Sequence, residues 1–143
     1  MFRKILVAID GSEPADRAFE TALGEAGVWK AEVHAVYVVE SGLFSSLPMD
    51  NTLEIIYSVL QKEGEDVLET ARKKADAAGV SLTTHLRQGG HAGSQIVSLA
   101  EELGIDLIVL GSYGKSGVDR LLLGSVTDYV VQNSPITTTV VRS

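Results

Sequence analysis

The residues of this chain whose types and spacing suit chemistry gather in one run. It reads Leu110-Gly111-Ser112-Tyr113-Gly114-Lys115-Ser116-Gly117, then Val118-Asp119-Arg120-Leu121-Leu122-Leu123, then Gly124-Ser125-Val126-Thr127. A mainly apolar stretch from Ile105 to Leu110 stops at Gly111, where the missing Cβ lets a ligand approach the main chain. Gly114 permits a tight reversal that turns amides inward. Gly124 and Ser125 precede Val126, Val130 and Val131, so they open a short helix. Its unpaired N–H groups and positive dipole end suit an anion, by roughly 0.3–1 kcal/mol for the dipole alone. Lys115 adds a mobile cation, and the Ser116 and Ser125 hydroxyls can bond phosphate oxygens. The layout is that of a phosphate cradle. The plain alternative is a glycine-rich strand-to-helix loop with Ser125 as an ordinary N-cap.

Other chemistries find little support. The three histidines, His34, His85 and His91, are too scattered for a metal signature, with His91 in a solvated turn. The chain holds no cysteine, which excludes thiolate chemistry, disulfides and cysteine-ligated zinc. No Gly-x-Ser-x-Gly elbow occurs, and Gly114-Lys115-Ser116 lacks the upstream glycine of the common ATPase phosphate loop. Asp10 and Asp119 are the candidate general bases near a phosphate. Asp119 adjoins Arg120, where a solvated salt bridge is the expectation. Nothing supplies the positioned water that efficient hydrolysis requires.

The elements that must position the run follow from periodicity. Ile5 to Ile9 is continuously apolar, as in a parallel strand covered on both faces. Asp10-Gly11-Ser12-Glu13-Pro14 breaks it, with Ser12 as N-cap of a helix carrying Ala15, Ala18, Phe19, Ala22, Leu23 and Ala26 on one face. Val33 to Val39 is a second strand. A loop with Leu43, Phe44, Leu47 and Met49 follows, and simple packing against the neighbouring helix is the expectation for its apolar members. Asn51 and Glu54 then suggest a capping pair. Leu53, Ile56, Leu60, Val67, Ala71, Ala75 and Ala78 mark a long helix, with Gly64 a weak point in it. Val80 to Leu86 alternates in part, as an edge strand does. Ile96, Leu99, Ala100 and Leu103 define a third helix, and Pro135 closes the helix that Gly124 opens. Ile136 to Val141 is a final β-branched strand. Five strands alternating with four helices predict an α/β doubly wound parallel sheet with helices on both faces.

Composition sets the bounds. At 143 residues the expectation is a single domain over 1–143, with 45% hydrophobic and 22% charged residues. Twelve basic against nineteen acidic residues give a net charge of −7, which opposes unspecific binding to nucleic acid or anionic lipid. The apolar run after Met1-Phe2-Arg3-Lys4 is too short for a signal-peptide core or membrane span, so a cytoplasmic protein is expected.

The spacing Gly111-x2-Gly114-x9-Gly124-Ser125, followed by Val126-Thr127 and a last apolar strand, resembles the ATP-binding signature of the universal stress protein family. Ile5-Leu6-Val7-Ala8-Ile9-Asp10-Gly11-Ser12 is similar to that family's first strand and loop, so the resemblance spans the chain. It implies strand order 3-2-1-4-5, an adenine nucleotide alpha-hydrolase-like fold, and a crevice between strands one and four that joins Asp10 to the loop after Gly111. It further implies ATP as ligand, probed at the adenine by an apolar slot of Ala8 and Val38. The phosphates fall to Gly111, Gly114, Lys115, Ser116, Gly124, Ser125, Val126 and Thr127. Asp10 would take a ribose hydroxyl or, through water, a Mg²⁺ (or Mn²⁺) ion on the phosphates; the alternative is an Asp that caps its own turn with Ser12. Relatives dimerise through the last strand, so a homodimer through Thr137 to Val141 is expected.

Three departures stand out: Tyr113 where relatives often have histidine or arginine, Asp119 where many are basic, and Gly90-His91-Ala92 without the frequent proline. None removes an element of the cradle. The resemblance therefore implies an ATP-binding stress-response regulator with no or very slow hydrolysis. A true ATPase and a nucleotide-free interaction module are the alternatives. Phosphoreceiver chemistry is disfavoured because the third strand ends in Arg87-Gln88-Gly89, without an acidic acceptor.

Overall fold

The computed structural model describes residues 1–40, 51–113 and 123–142. In chain order its elements are β1 (Lys4–Ala8), α1 (Glu13–Trp29), β2 (Glu32–Val39), α2 (Asn51–Ala78), β3 (Leu82–Gln88), α3 (Ala92–Leu103), β4 (Leu107–Gly111), α4 (Ser125–Asn133) and β5 (Thr138–Val141). The strands form one sheet in the order β3-β2-β1-β4-β5, every pair parallel. The direction of strand order reverses at β1, as expected, and β1 and β4 are neighbours there.

Alternation of side chains across the pleat builds two cores. Ile5, Val7, Val33, Ala35, Leu107 and Val109 face α1 and α2, where Ala18, Phe19, Ala22, Ala71 and Ala75 meet them. Leu6, Val36, Ile108 and Leu110 face the other way, against Ile96, Leu99 and Ala100 of α3 and Val130 of α4. Helices thus cover both faces, which is why the central strands read as unbroken apolar runs.

Local signals act much as the sequence implies. Ser12 caps α1, its Oγ accepting from Ala15 N at 3.4 Å, with Pro14 in the first turn. The fourth helix ends at Asn133 with Ser134 as its cap, one residue before Pro135. Its start differs in detail: Gly124 is the N-cap and Ser125 the first helical residue, so Ser125 is not the capping residue.

The long helix differs more. Gly64 does not interrupt α2, which runs unbroken for 28 residues. A Cβ there would stand 2.6 Å from Tyr37 Cδ1 and 2.9 Å from Leu86 Cδ1, so the glycine lets α2 lie close upon β2 and β3. The inward face includes Leu68, which the sequence reading passes over, whereas Ala78 is exposed. Asn51 is the first residue of α2, with its side chain outside the described residues, and the apolar loop with Leu43, Phe44, Leu47 and Met49 lies outside them altogether. Both edges fall as expected, β3 on one side and β5 on the other, although β5 begins only at Thr138.

Candidate functional site

Beyond the carboxyl ends of β1, β2 and β4 lies a hollow of about 550 Å³. Its walls hold every described residue that the sequence nominates: Ala8, Asp10, Val38, Gly111, Gly124, Ser125, Val126 and Thr127. Gly114, Lys115 and Ser116 lie outside the described residues, as do Asp119 and Arg120. A smaller hollow of about 210 Å³ between α1 and α2, against Phe19 and Lys74, takes in none of the nominated residues. The larger one is where a doubly wound sheet binds ligands, and its volume is that of a small-molecule site.

The hollow has direction. Val36, Val38, Ala8 and Ile96 make an aliphatic floor at the exits of β2 and β1. At the other end Gly124 and Thr127 are tied to the end of β4. Gly124 N donates to Ser112 O at 2.8 Å, and Ser112 N donates to Val141 O at 2.9 Å. Thr127 Oγ1 donates to Gly111 O at 2.7 Å. Thr127 is 5% exposed, so its hydroxyl fastens α4 to the end of β4 as well as bordering the hollow.

Of the helices that begin at this end of the sheet, α1, α3 and α4 have caps among the described residues, and each start carries unpaired N–H groups and a partial positive charge. The start of α1 is closed by Ser12 and has Glu13 and Asp16 in its first turn. The start of α3 is closed twice: His91 Nδ1 accepts from Gly93 N at 3.1 Å, and Glu40 Oε1 accepts from Ala92 N at 3.3 Å. The start of α4 has a glycine cap with no side-chain hydrogen bond. Of the three, α4 presents the opening suited to an anion.

Two nominated residues do more than the sequence suggests. A Cβ on Gly111 would stand 2.8 Å from both the carbonyl carbon and Cβ of Pro14, so the space read as room for a ligand is filled by the start of α1. Asp10 lines the hollow while its Oδ1 accepts from Ser12 N at 2.9 Å, so the turn-capping alternative is real and coexists with exposure to the hollow.

Sequence reasoning passed over Glu40, Tyr113 and Ile96 as lining residues. A signal for Glu40 was present: it follows an apolar strand as Asp10 follows Ile9. It also missed a pair remote in sequence, His34 and His85, whose Nδ1 and Nε2 lie 3.0 Å apart on neighbouring strands with rings stacked at 5.2 Å. His34 is buried, and its Nε2 has no hydrogen-bond partner among the described residues; Glu32 Oε1 is 3.7 Å away. Burial above all, then His34 and Arg87, holds the His85 pKa below its ordinary 6.5. Among the described residues no group of three or more His, Cys, Asp or Glu is arranged to hold a metal.

A parallel sheet ordered 3-2-1-4-5 with a ligand-sized hollow at its switch point defines the adenine nucleotide alpha-hydrolase-like class of α/β folds. Among solved structures, the hypothetical protein MJ0577 superposes with a TM-score of 0.88 at 28% identity, over 100% of this chain and 97% of that one. A universal stress protein in complex with cAMP superposes with a TM-score of 0.67 at 27% identity, over 99% and 97%. Universal stress protein MJ0531 of Methanocaldococcus jannaschii is 37% identical over 142 residues, covering 99% of this chain and 83% of the relative. The model of the universal stress protein family matches residues 1–142. The chain belongs to the universal stress protein family.

Proposed function

We propose that this chain, as one domain over residues 1–143, is a stress-response regulator that binds ATP in the switch-point hollow and acts as a cytoplasmic homodimer with no or very slow hydrolysis. The observation that carries the proposal is the hollow's direction: an aliphatic floor at one end and an α4 start without a side-chain cap at the other. An adenine nucleotide has matching ends, a flat apolar base and a polyanionic chain. The solved relative in complex with cAMP supports an adenine nucleotide as the class of ligand.

In this reading Ala8 and Val38 face the adenine. The amides of Ser125, Val126 and Thr127, with the Ser125 hydroxyl, face the phosphates, and Gly111, Gly114, Lys115 and Ser116 complete the cradle. Asp10 is a hard oxygen donor at the border of the hollow, and its chemistry fits Mg²⁺ (or Mn²⁺) shared with phosphate oxygens. Such an ion would supply charge neutralisation between carboxylate and phosphates. No nucleic acid or membrane partner is part of the proposal. No described helix is long and apolar enough to cross a membrane.

Slow turnover is the reading that the described border of the hollow supports. Among the described lining residues there is no histidine, lysine or arginine, and the two carboxylates, Asp10 and Glu40, each accept a main-chain N–H. Efficient phosphoryl transfer also needs cationic groups to stabilise the transferring phosphoryl, and these residues supply none.

The test is direct. Denaturing freshly purified protein and chromatographing the supernatant should reveal a bound adenine nucleotide, and calorimetry with MgATP should give heat of binding. Gly124→Val should weaken that binding at least tenfold while the circular dichroism is unchanged. The cap's φ of −62° and ψ of 158° suit any residue, but the new isopropyl group crowds the α4 amides. No released nucleotide together with no heat would overturn the proposal, and undiminished affinity in the variant would remove the phosphates from the α4 start.

A further inference from the structure

We infer that Glu32 is the moving arm of an acid-sensitive switch: its carboxylate, poised between Lys4 and His34, passes from Lys4 to His34 when the buried His34–His85 pair takes up one proton. Glu32 and Lys4 begin their strands, at the end of the sheet opposite the hollow, so the switch does not rest on the nucleotide reading.

Register brings the groups together. Lys4 and Glu32 are paired across β1 and β2, and His34 lies two residues further along β2. On β3 the direct partner of His34 is Thr83, which makes His85 its diagonal neighbour. Residues two apart share a face, and a diagonal neighbour is within reach of a long side chain. All four side chains therefore stand on the face that carries Leu6 and Val36.

Counting hydrogens gives the switch its direction. His34 Nδ1 and His85 Nε2 are 3.0 Å apart, a hydrogen bond that needs an N–H on one ring and a lone pair on the other. With both rings neutral, His34 Nε2 is left as a buried N–H or a buried lone pair, and among the described residues it has no hydrogen-bond partner. One added proton cures this without breaking the ring-to-ring bond. His34 then donates to His85 through Nδ1 and points a second, charged N–H at Glu32. A further proton would set N–H against N–H at the same contact, so the pair takes one.

The surrounding charges place that proton on His34. Burial first, then His34 and Arg87, oppose a charge on His85, and Glu102, which favours one, is held by Arg87 at 2.9 Å. Facing His34 is Glu32, whose Oε1 lies 3.7 Å from His34 Nε2 and 3.7 Å from Lys4 Nζ. One oxygen is thus equally far from a permanent cation and from a ring that becomes one, and beyond hydrogen-bond length from both. A movement of about 1 Å closes its contact with His34 to the roughly 2.7–2.9 Å of a charge-assisted bond. Lys4 Nζ keeps its bond to Leu103 O at 3.2 Å, so Glu32 can leave without stranding it. Glu32 is partly exposed and His34 is not, so the arm links the buried ring to solvent.

The experiment is NMR of the full chain, with nitrogen-15 in the imidazoles and carbon-13 in the glutamate carboxyls, titrated from about pH 8 to about pH 5. The expected result is that His34 alone of the pair becomes doubly protonated, and that the Glu32 carboxyl signal moves with the same midpoint. Glu32→Gln should lower the proton affinity of His34 by about threefold or more, and Lys4→Met should raise it by about as much, because one removes the attracting charge and the other the competing one. A purely structural role would not move the two variants in opposite directions. Circular dichroism checks that each variant folds; if either does not, the coincidence of the two midpoints in the native chain decides. A His34 that stays neutral, a charge that settles on His85, a Glu32 signal that ignores the His34 step, unfolding before that step, or an unchanged midpoint in either folded variant overturns the switch.

Discussion

Gly111→Ala is the sharpest probe of how the site is built, because one methyl group tests whether the missing side chain serves a ligand or the fold. In the structure that methyl would stand 2.8 Å from the carbonyl carbon of Pro14, 2.8 Å from its Cβ and 2.9 Å from its carbonyl oxygen. Ordinary contact needs about 0.6 Å more in each direction, and two of the three atoms are main chain of the first turn of α1, so no rotamer change relieves the clash. Overpacking of this kind costs about 1–3 kcal/mol, and the rigid neighbour argues for the upper part of that range, about 2–3 kcal/mol. For a domain of this size that is roughly a 4–12 °C fall in melting temperature. Gly24→Ala is the paired control: Gly24 lies inside α1 with nothing within 4 Å of the added Cβ, so the same change there should stabilise by about 0.4–1 kcal/mol. Urea unfolding followed by circular dichroism, without nucleotide, measures both. A Gly111→Ala midpoint indistinguishable from the native one would mean that α1 does not rest on the end of β4, and the account of the hollow's wall would fail.

Two further outcomes follow from the sheet. His85 in the folded chain holds its proton less tightly than in the unfolded chain, chiefly through burial, so between its lowered pKa and 6.5 the unfolded state binds more protons. Stability should therefore be complete above pH 6.5 and decline as the pH falls through that window; urea midpoints from pH 7.5 to 5 should show a shallower decline in His85→Gln, and an identical one would refute the assignment. At the opposite edge, Ile108 N bonds Thr137 O and Ser112 N bonds Val141 O, so residues 137, 139 and 141 face β4 while 138 and 140 turn their main chain outwards. Thr138→Pro should thus remove an outward N–H, weaken the proposed homodimer at least tenfold in sedimentation and cost the protomer little; an unchanged association constant would place the interface elsewhere.

The fold was legible because its signals are local and repeated. Buried parallel strands have no polar face, so Ile5 to Ile9 and Leu107 to Leu110 read as unbroken apolar runs, and Ser12 marks a helix start through its own chemistry. What failed to read was contact between distant elements. Gly64 looks like a weak point in a helix until Tyr37 and Leu86 are seen against it. Leu68 rather than Ala78 completes the inward face of α2 because the sheet beneath, not the helix period alone, chooses the buried residues. The His34–His85 pair depends on the register of β2 and β3, in which Val36 lies opposite His85, and no spacing in the sequence encodes it.

The site shows the same division, and it bears on what the hollow is built to do. Residue types pointed to residues that line one hollow, yet the contacts that shape it are those whose partners lie elsewhere in the chain: Glu40 on Ala92, Thr127 on Gly111, Pro14 against Gly111. These ties connect the candidate bases to the frame. Asp10 Oδ1 accepts from Ser12 N, at the cap of the same helix whose first turn rests on Gly111, and Glu40 Oε1 accepts from Ala92 N at the α3 start. A hydrogen bond to a charged acceptor is worth about 1.5–3 kcal/mol, so both carboxylates are held in place by the frame. The starts of α1, α3 and α4 are thus each tied to a residue that lines the hollow, Asp10, Glu40 and Gly111 respectively, so the border of the hollow and the helix frame form one connected set.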